Sequence, residues 1–189
     1  MNREKLRNTV FTGLFTAMVF ISTYVIKIQT PTMGYIHPGD GIVLLAGILL
    51  GPLYGGFAAG VGSMLSDLVG GYLYYVPATL LIKGLTAVIA SLVFRQFEHV
   101  KKTNGSLVSV IAGGITGELF MVFGYFSFEL LWFGLINGDG ITRASIISGV
   151  MVGISGIPFN VLQGLFGVLI VSVLYPMVSG AFASSRTLR

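Results

Sequence analysis

The chain has 189 residues, of which 54% are hydrophobic and only 10% charged, with a mean hydropathy of +0.89 and a net charge of +4. Soluble domains carry about 25% charged residues, so water is not the main solvent here, and the basic residues lie in separate segments that form no continuous nucleic-acid-binding face. No cysteine is present, which excludes disulfides, thiolate catalysis and cysteine-held metals.

A spanning helix takes about 20 mostly apolar residues, so the length suits about six spans in a single integral membrane domain over residues 1–189. The first helix is expected over residues 9–28, after Arg3, Lys5 and Arg7. Its charged start imitates a signal peptide, but no small-residue cleavage site follows and further spans do, so it reads as a retained helix. Gly13 and Ala17 form a small-xxx-small step that Thr9, Thr12 and Thr16 extend, a surface suited to helix association and hence to docking a partner.

Residues 29–39, with Pro31 and Pro38, read as an outer loop in which Tyr35 and His37 are candidate lid residues. A short second helix, 40–50, is broken by Gly51-Pro52 before a third, 54–69, and Asp40 stands where a helix N-cap would. Tyr72, Tyr74 and Tyr75 mark an aromatic outer turn at 70–77. A fourth helix follows at 78–94, then a polar loop at 95–105. The fifth helix is expected over 106–133, a loop at Asn137-Gly138-Asp139-Gly140, and a sixth helix over 144–178 with a kink at Pro158. Eight of the 11 basic residues fall before the first helix, in the central polar break or at the chain's end. The positive-inside bias then puts both termini in the cytoplasm. The glycine steps 51–55, 56–60, 113–117 and 149–153 are expected to pack helices inside the bundle.

Of the 18 charged side chains (11 Lys or Arg, 7 Asp or Glu), Asp67, Lys83, Glu118 and Glu129 fall inside or at the edge of apolar runs. An ionisable group there costs roughly 2.5 to 3.5 kcal/mol even on the mildest scale, so such residues are functional candidates. Glu118, Tyr125, Glu129 and Trp132 share one helical stripe, which should face the bundle interior. Lys83 either pairs with Glu129 or Asp67 or donates to a ligand. Asn160 and Gln163, one turn apart just past Pro158, add amide donors and acceptors. Together these side chains suit a small polar aromatic ring, with Tyr125 and Trp132 stacking on it.

The chain has no phosphate-binding G-x-x-x-x-G-K-[ST] loop, no H-E-x-x-H and no G-x-S-x-G, so neither ATP hydrolysis nor another enzymatic activity of its own is expected, and no cofactor or bound metal. A self-standing proton-coupled carrier that uses Glu118 and Glu129 as relay groups is the alternative from another class.

Four segments carry a resemblance: Gly34-Tyr35-Ile36-His37-Pro38-Gly39-Asp40, Leu50-Gly51-Pro52-Leu53-Tyr54-Gly55-Gly56, Ser66-Asp67-Leu68-Val69-Gly70-Gly71-Tyr72 and Pro77-Ala78-Thr79-Leu80-Leu81-Ile82-Lys83-Gly84. With them the chain resembles the substrate-binding S components of energy-coupling factor (ECF) vitamin transporters, over nearly its whole length. The resemblance implies a six-helix bundle in the bacterial plasma membrane. Such a bundle binds one vitamin from outside and joins a transmembrane coupling subunit and two ATPase subunits. It topples in the membrane when ATP is used. The Gly13 to Ala17 step looks like the first-helix alanine motif that engages the coupling subunit, with glycine here at the first position. Within the family the sequence is most similar to the hydroxymethylpyrimidine and pyridoxine branch, with riboflavin and pantothenate as alternative substrates.

Overall fold

The computed structural model describes residues 3–30, 35–101, 106–136 and 141–187. Six α-helices dominate: α1 (Arg3–Tyr24), α2 (Asp40–Leu50), α3 (Pro52–Gly70), α4 (Val76–Lys101), α5 (Leu107–Leu131) and α6 (Arg143–Thr187). Two short strands, β1 (Ile28–Gln29) and β2 (Tyr35–Ile36), pair antiparallel between α1 and α2 with Ile28 opposite Ile36 and Gln29 opposite Tyr35.

The second helix lies where its sequence pattern put it, because Gly39 and Gly51 bound an uninterrupted apolar run. A helix apolar on every side must be buried. Val43, Leu44 and Ala46 have no exposed surface, and the helix is enclosed by α3, α4 and α6. Gly51, at φ +89°, takes a conformation that L side chains rarely adopt, and Pro52 supplies a preset φ for the first turn of α3. Gly71, at φ +84°, ends α3 in the left-handed region with its N–H turned back to the carbonyls of Asp67 and Leu68. The glycine steps bring backbones together: a Cβ on Gly60 would lie 2.6 Å from the Leu80 carbonyl oxygen, and one on Gly113 2.6 Å from that of Ala90. These contacts seal α3 and α5 against α4, the packing expected of small residues in a membrane bundle.

Several expectations need correction. The outer loop is not wholly irregular, since β1 and β2 make a small hairpin inside it. The first helix starts and ends earlier, at Arg3 and Tyr24. The stretch from Arg95 to Lys101 is helical, so the central polar break is shorter than read. The fifth helix ends in a π-helical turn, Trp132–Ile136. Asp40 is not the N-cap of α2: that position is Gly39, and the Asp40 carboxylate is engaged elsewhere. The sixth helix runs through Pro158 and Pro176 to Thr187. The loop at Asn137-Gly138-Asp139-Gly140 lies outside the described residues.

The surface is that of a lipid-facing protein. Leu81, Leu119, Phe123, Leu165 and Leu169 each expose 60 to 66% of their area. Three helical stretches, Val76–Val100, Leu107–Ile136 and Arg143–Gly180, are long and apolar enough to cross a membrane. Phe11 near the start of α1 and Phe182 near the end of α6 pack with ring centroids 4.9 Å apart. The start of the first helix and the end of the last therefore share one side of the bundle.

Candidate functional site

At the opposite end from that aromatic pair, the hairpin closes over the bundle. The Tyr35 hydroxyl donates to the Asp67 carboxylate and lies 3.4 Å from Ser66 Oγ. Lys27 donates to the Ser66 carbonyl at 3.2 Å and sits 4.3 Å from the Tyr35 ring centre, a cation–π contact. Burial, then the Asp67 charge, pushes the Tyr35 phenol up, so it remains a donor. The hairpin is thus fastened to the C-terminal turns of α3.

The next residues, His37 to Gly39, turn inward. Nδ1 of His37 accepts the Gly39 N–H at 3.1 Å, which assigns the neutral ring's proton to Nε2. His37 is 7% exposed, and burial pushes its pKa down to about 3, with Asp40 opposing and Lys83 and Lys27 reinforcing the shift.

Below lies a polar layer that ties four elements together. Lys83 of α4 donates to both carboxylate oxygens of Asp40, at 2.6 and 2.8 Å. Gln163 of α6 donates to Asp40 Oδ2 at 2.7 Å and accepts the His37 backbone N–H at 3.1 Å. Lys83 is therefore paired with Asp40, not with Glu129 or Asp67 as the sequence suggested. Glu118 of α5 stands beside this layer, in room left by α6 glycines: a Cβ on Gly167 would lie 3.0 Å from both Glu118 Oε1 and Asp40 Cβ. Neither Glu118 oxygen has a hydrogen-bond partner among the described residues.

Between the hairpin and this layer is a cavity walled by α1, α3, α4, α5 and α6. Of the candidate binding residues, Tyr35, His37, Tyr125, Glu129, Asn160 and Gln163 line it together. Lys83 and Glu118 lie in the adjacent layer, and Trp132 is apart from the lining, packed on Tyr74 and Phe128 with centroids 6.0 and 5.9 Å away. The stripe on α5 does face inward: Glu118 and Glu129 are each 4% exposed. Tyr75 donates to Glu129 Oε1 at 3.0 Å, and burial together with the Glu129 charge pushes its phenol up, keeping it protonated. The Thr79 and Tyr125 hydroxyls meet at 3.1 Å.

Sequence reasoning missed Thr23, Ser63, Thr79 and Phe159 in the lining and read Tyr75 only as rim. Helical serine and threonine are common, so only the three-dimensional packing singles these out. No three His, Asp or Glu side chains among the described residues gather closely enough to hold a metal ion.

A second, open groove runs between α1 and α3, lined by Thr12, Gly13, Thr16, Ala17, Leu53 and Phe57. Gly13 and Ala17 are exposed there. The Thr12 and Thr16 hydroxyls donate to the carbonyls of Asn8 and Thr12 at 2.7 and 2.8 Å, which leaves the groove apolar.

Residues 3–179 match a family model described as "ECF-type riboflavin transporter, S component". A Pyrococcus woesei protein described as an uncharacterized protein in a gap 3' region is 33% identical over 140 residues, 74% of this chain and 86% of that protein. A solved chain reported as the S component of a bacterial ECF transporter superposes with a TM-score of 0.58, covering 97% of this chain and 99% of its own at 18% identity. At that identity the likeness is one of fold.

Proposed function

The chain belongs to the family of ECF-type transporter S components, substrate-binding membrane subunits without enzymatic activity, and we propose that it captures a small vitamin or vitamin precursor from outside the cell in the cavity beneath the hairpin. The observation that carries this reading is the cavity itself. Tyrosines wall it, fixed polar groups converge on it, and the hairpin covers it. Oriented polar groups converging in a covered cavity fix the orientation of a small polar ligand.

In this reading the six helices are six spans with both termini inside, and the hairpin is the gate that admits ligand. The substrate is a one-ring compound of the hydroxymethylpyrimidine or pyridoxine kind, held between Tyr125 and the polar groups of Glu129, Asn160, Gln163 and His37. Tyr35 closes over it. The polar layer of Lys83, Asp40 and Glu118 supports the floor, and Trp132 buttresses the rim. Riboflavin is the second reading, favoured by the description of the matching family.

Delivery inward requires a separate transmembrane coupling subunit and two ATPase subunits. The α1–α3 groove suits the coupling subunit, because an exposed small-residue face lets a partner helix approach closely.

Reconstitution into proteoliposomes tests the assignment. The chain alone should bind ligand without accumulating it, and uptake should appear only with the coupling module and ATP. Uptake by the chain alone under a pH gradient would instead identify a proton-coupled carrier.

A further inference from the structure

Three side chains around the cavity hold polar atoms without a partner among the described residues: Thr23 Oγ1 on α1, Ser63 Oγ on α3 and Glu129 Oε2 on α5. The residues are 1%, 0% and 4% exposed. Elsewhere the helical hydroxyls of Thr86, Thr116 and Ser172 return their protons to backbone carbonyls at 2.7 to 3.0 Å. Thr23 and Ser63 do not, although the same bond is open to them on a helix. Ser91 and Ser109 also lack partners among the described residues, but they do not line the cavity.

Glu129 is positioned, not adrift. Tyr75 holds Oε1 at 3.0 Å, and Gly156 of α6 keeps the space beside Oε2 clear, since a Cβ there would lie 2.7 Å from it. Among the described residues the backbones of α1 and α3 stay apart from that of α5, so the two hydroxyls and the carboxylate stand on separate walls. The charge of the lining is one-sided as well. Asp67 and Glu129 face the cavity, and no lysine or arginine among the described residues does. Lys83 is committed to Asp40, and His37 is neutral at physiological pH.

We propose that Glu129 Oε2 accepts an N–H or O–H from one edge of the ligand while Thr23 and Ser63 bond its opposite edge, so that the cavity selects neutral or cationic, donor-bearing rings and rejects carboxylated and phosphorylated ones. Buried polar atoms without partners are costly to the empty protein and become useful when a ligand satisfies them. An anion placed beside two carboxylates with no facing cation loses its hydration and gains no counter-charge. This inference rests on the capture reading and deepens it to a substrate class.

The test uses the purified full-length chain and calorimetry with matched probes: hydroxymethylpyrimidine, pyridoxine and riboflavin, the phosphate ester of each, and pantothenate. The neutral parent that binds should exceed its phosphate ester, and pantothenate, by about 100-fold or more. Glu129→Gln should weaken the parent by about 10- to 100-fold, as loss of a charge-assisted bond does, and Thr23→Val or Ser63→Ala by about 2- to 10-fold. In the ligand-free protein, Thr23→Val and Ser63→Ala should leave the melting midpoint unchanged or raise it. A phosphate ester bound within about threefold of its parent, unchanged affinity in Glu129→Gln, or a lowered ligand-free midpoint in both hydroxyl variants overturns the proposal. If the wild-type chain binds none of the probes, the capture reading fails. This inference presupposes a ligand and falls with it, whereas a parent that binds while its phosphate ester matches it overturns the inference alone and leaves capture standing.

Discussion

The Lys83–Asp40 pair sits where water cannot compensate either charge, with the two side chains 1% and 0% exposed. Removing one partner strands the other, so Lys83→Met should lower stability in detergent by about 3–5 kcal/mol, while the double variant Asp40→Asn/Lys83→Met should recover most of it. Equal unfolding midpoints for the single and double variants would contradict the pairing. His37 gives a second expectation, with a definite sign. Its folded pKa of about 3 is below the ordinary 6.5. Above pH 6.5 the ring is neutral folded or unfolded and stability is complete. As pH falls below 6.5, the unfolded chain takes up a proton that the folded chain refuses, and stability drops by about 1.4 kcal/mol per pH unit. Asn at position 37 keeps an acceptor for the Gly39 N–H and does not titrate. His37→Asn should therefore lose about 2 to 3 kcal/mol less than wild type between pH 6.5 and 4.5. Identical acid sensitivity would contradict it. At this scale the sequence marked the costly residues but not their partners: Lys83 and Asp40 are 43 positions apart, and only the packing of α2 against α4 joins them.

Helix contacts obey the same logic one level up. Where a glycine faces a neighbouring backbone no side chain fits, so Gly113→Ala, with its Cβ 2.6 Å from the Ala90 oxygen, should destabilise the bundle by about 1–3 kcal/mol. A Cβ on Gly13 would meet nothing within 4 Å. Gly13→Ala should thus be neutral or stabilise by up to about 1 kcal/mol through helix propensity, and thermal melting of the two variants checks the contrast. The long helices and the bounds of α2 were legible because apolar runs meet Gly and Pro at their ends. The hairpin was not, since a strand of two residues carries no alternation, and its pairing comes from the fastening of Tyr35 and Lys27 to α3. Nor was the π-helical turn at Trp132–Ile136, where nothing in local composition signals a change of helix type. The extension of α6 past Val178 escaped notice because Gly180 and small polar residues follow. In the site, the α5 stripe was readable from spacing alone. Thr23 and Ser63 were not, because a hydroxyl gains meaning only from what fails to reach it.

For the whole molecule, six spans require that the aromatic turn before α4 and the start of α1 face opposite sides of the membrane. The absence of native cysteine makes this directly measurable. A membrane-impermeant maleimide should label Leu73→Cys, exposed in that turn, in intact cells, and Lys5→Cys only after permeabilisation; labelling of both in intact cells contradicts the topology. The central claim is that this S-component bundle captures a small vitamin-like compound by itself and depends on partners for all else. Calorimetry on the purified chain with hydroxymethylpyrimidine, pyridoxine, riboflavin and pantothenate tests it most directly. Tight one-to-one binding of one uncharged member of that set is the predicted result; failure of every one to bind would contradict the claim.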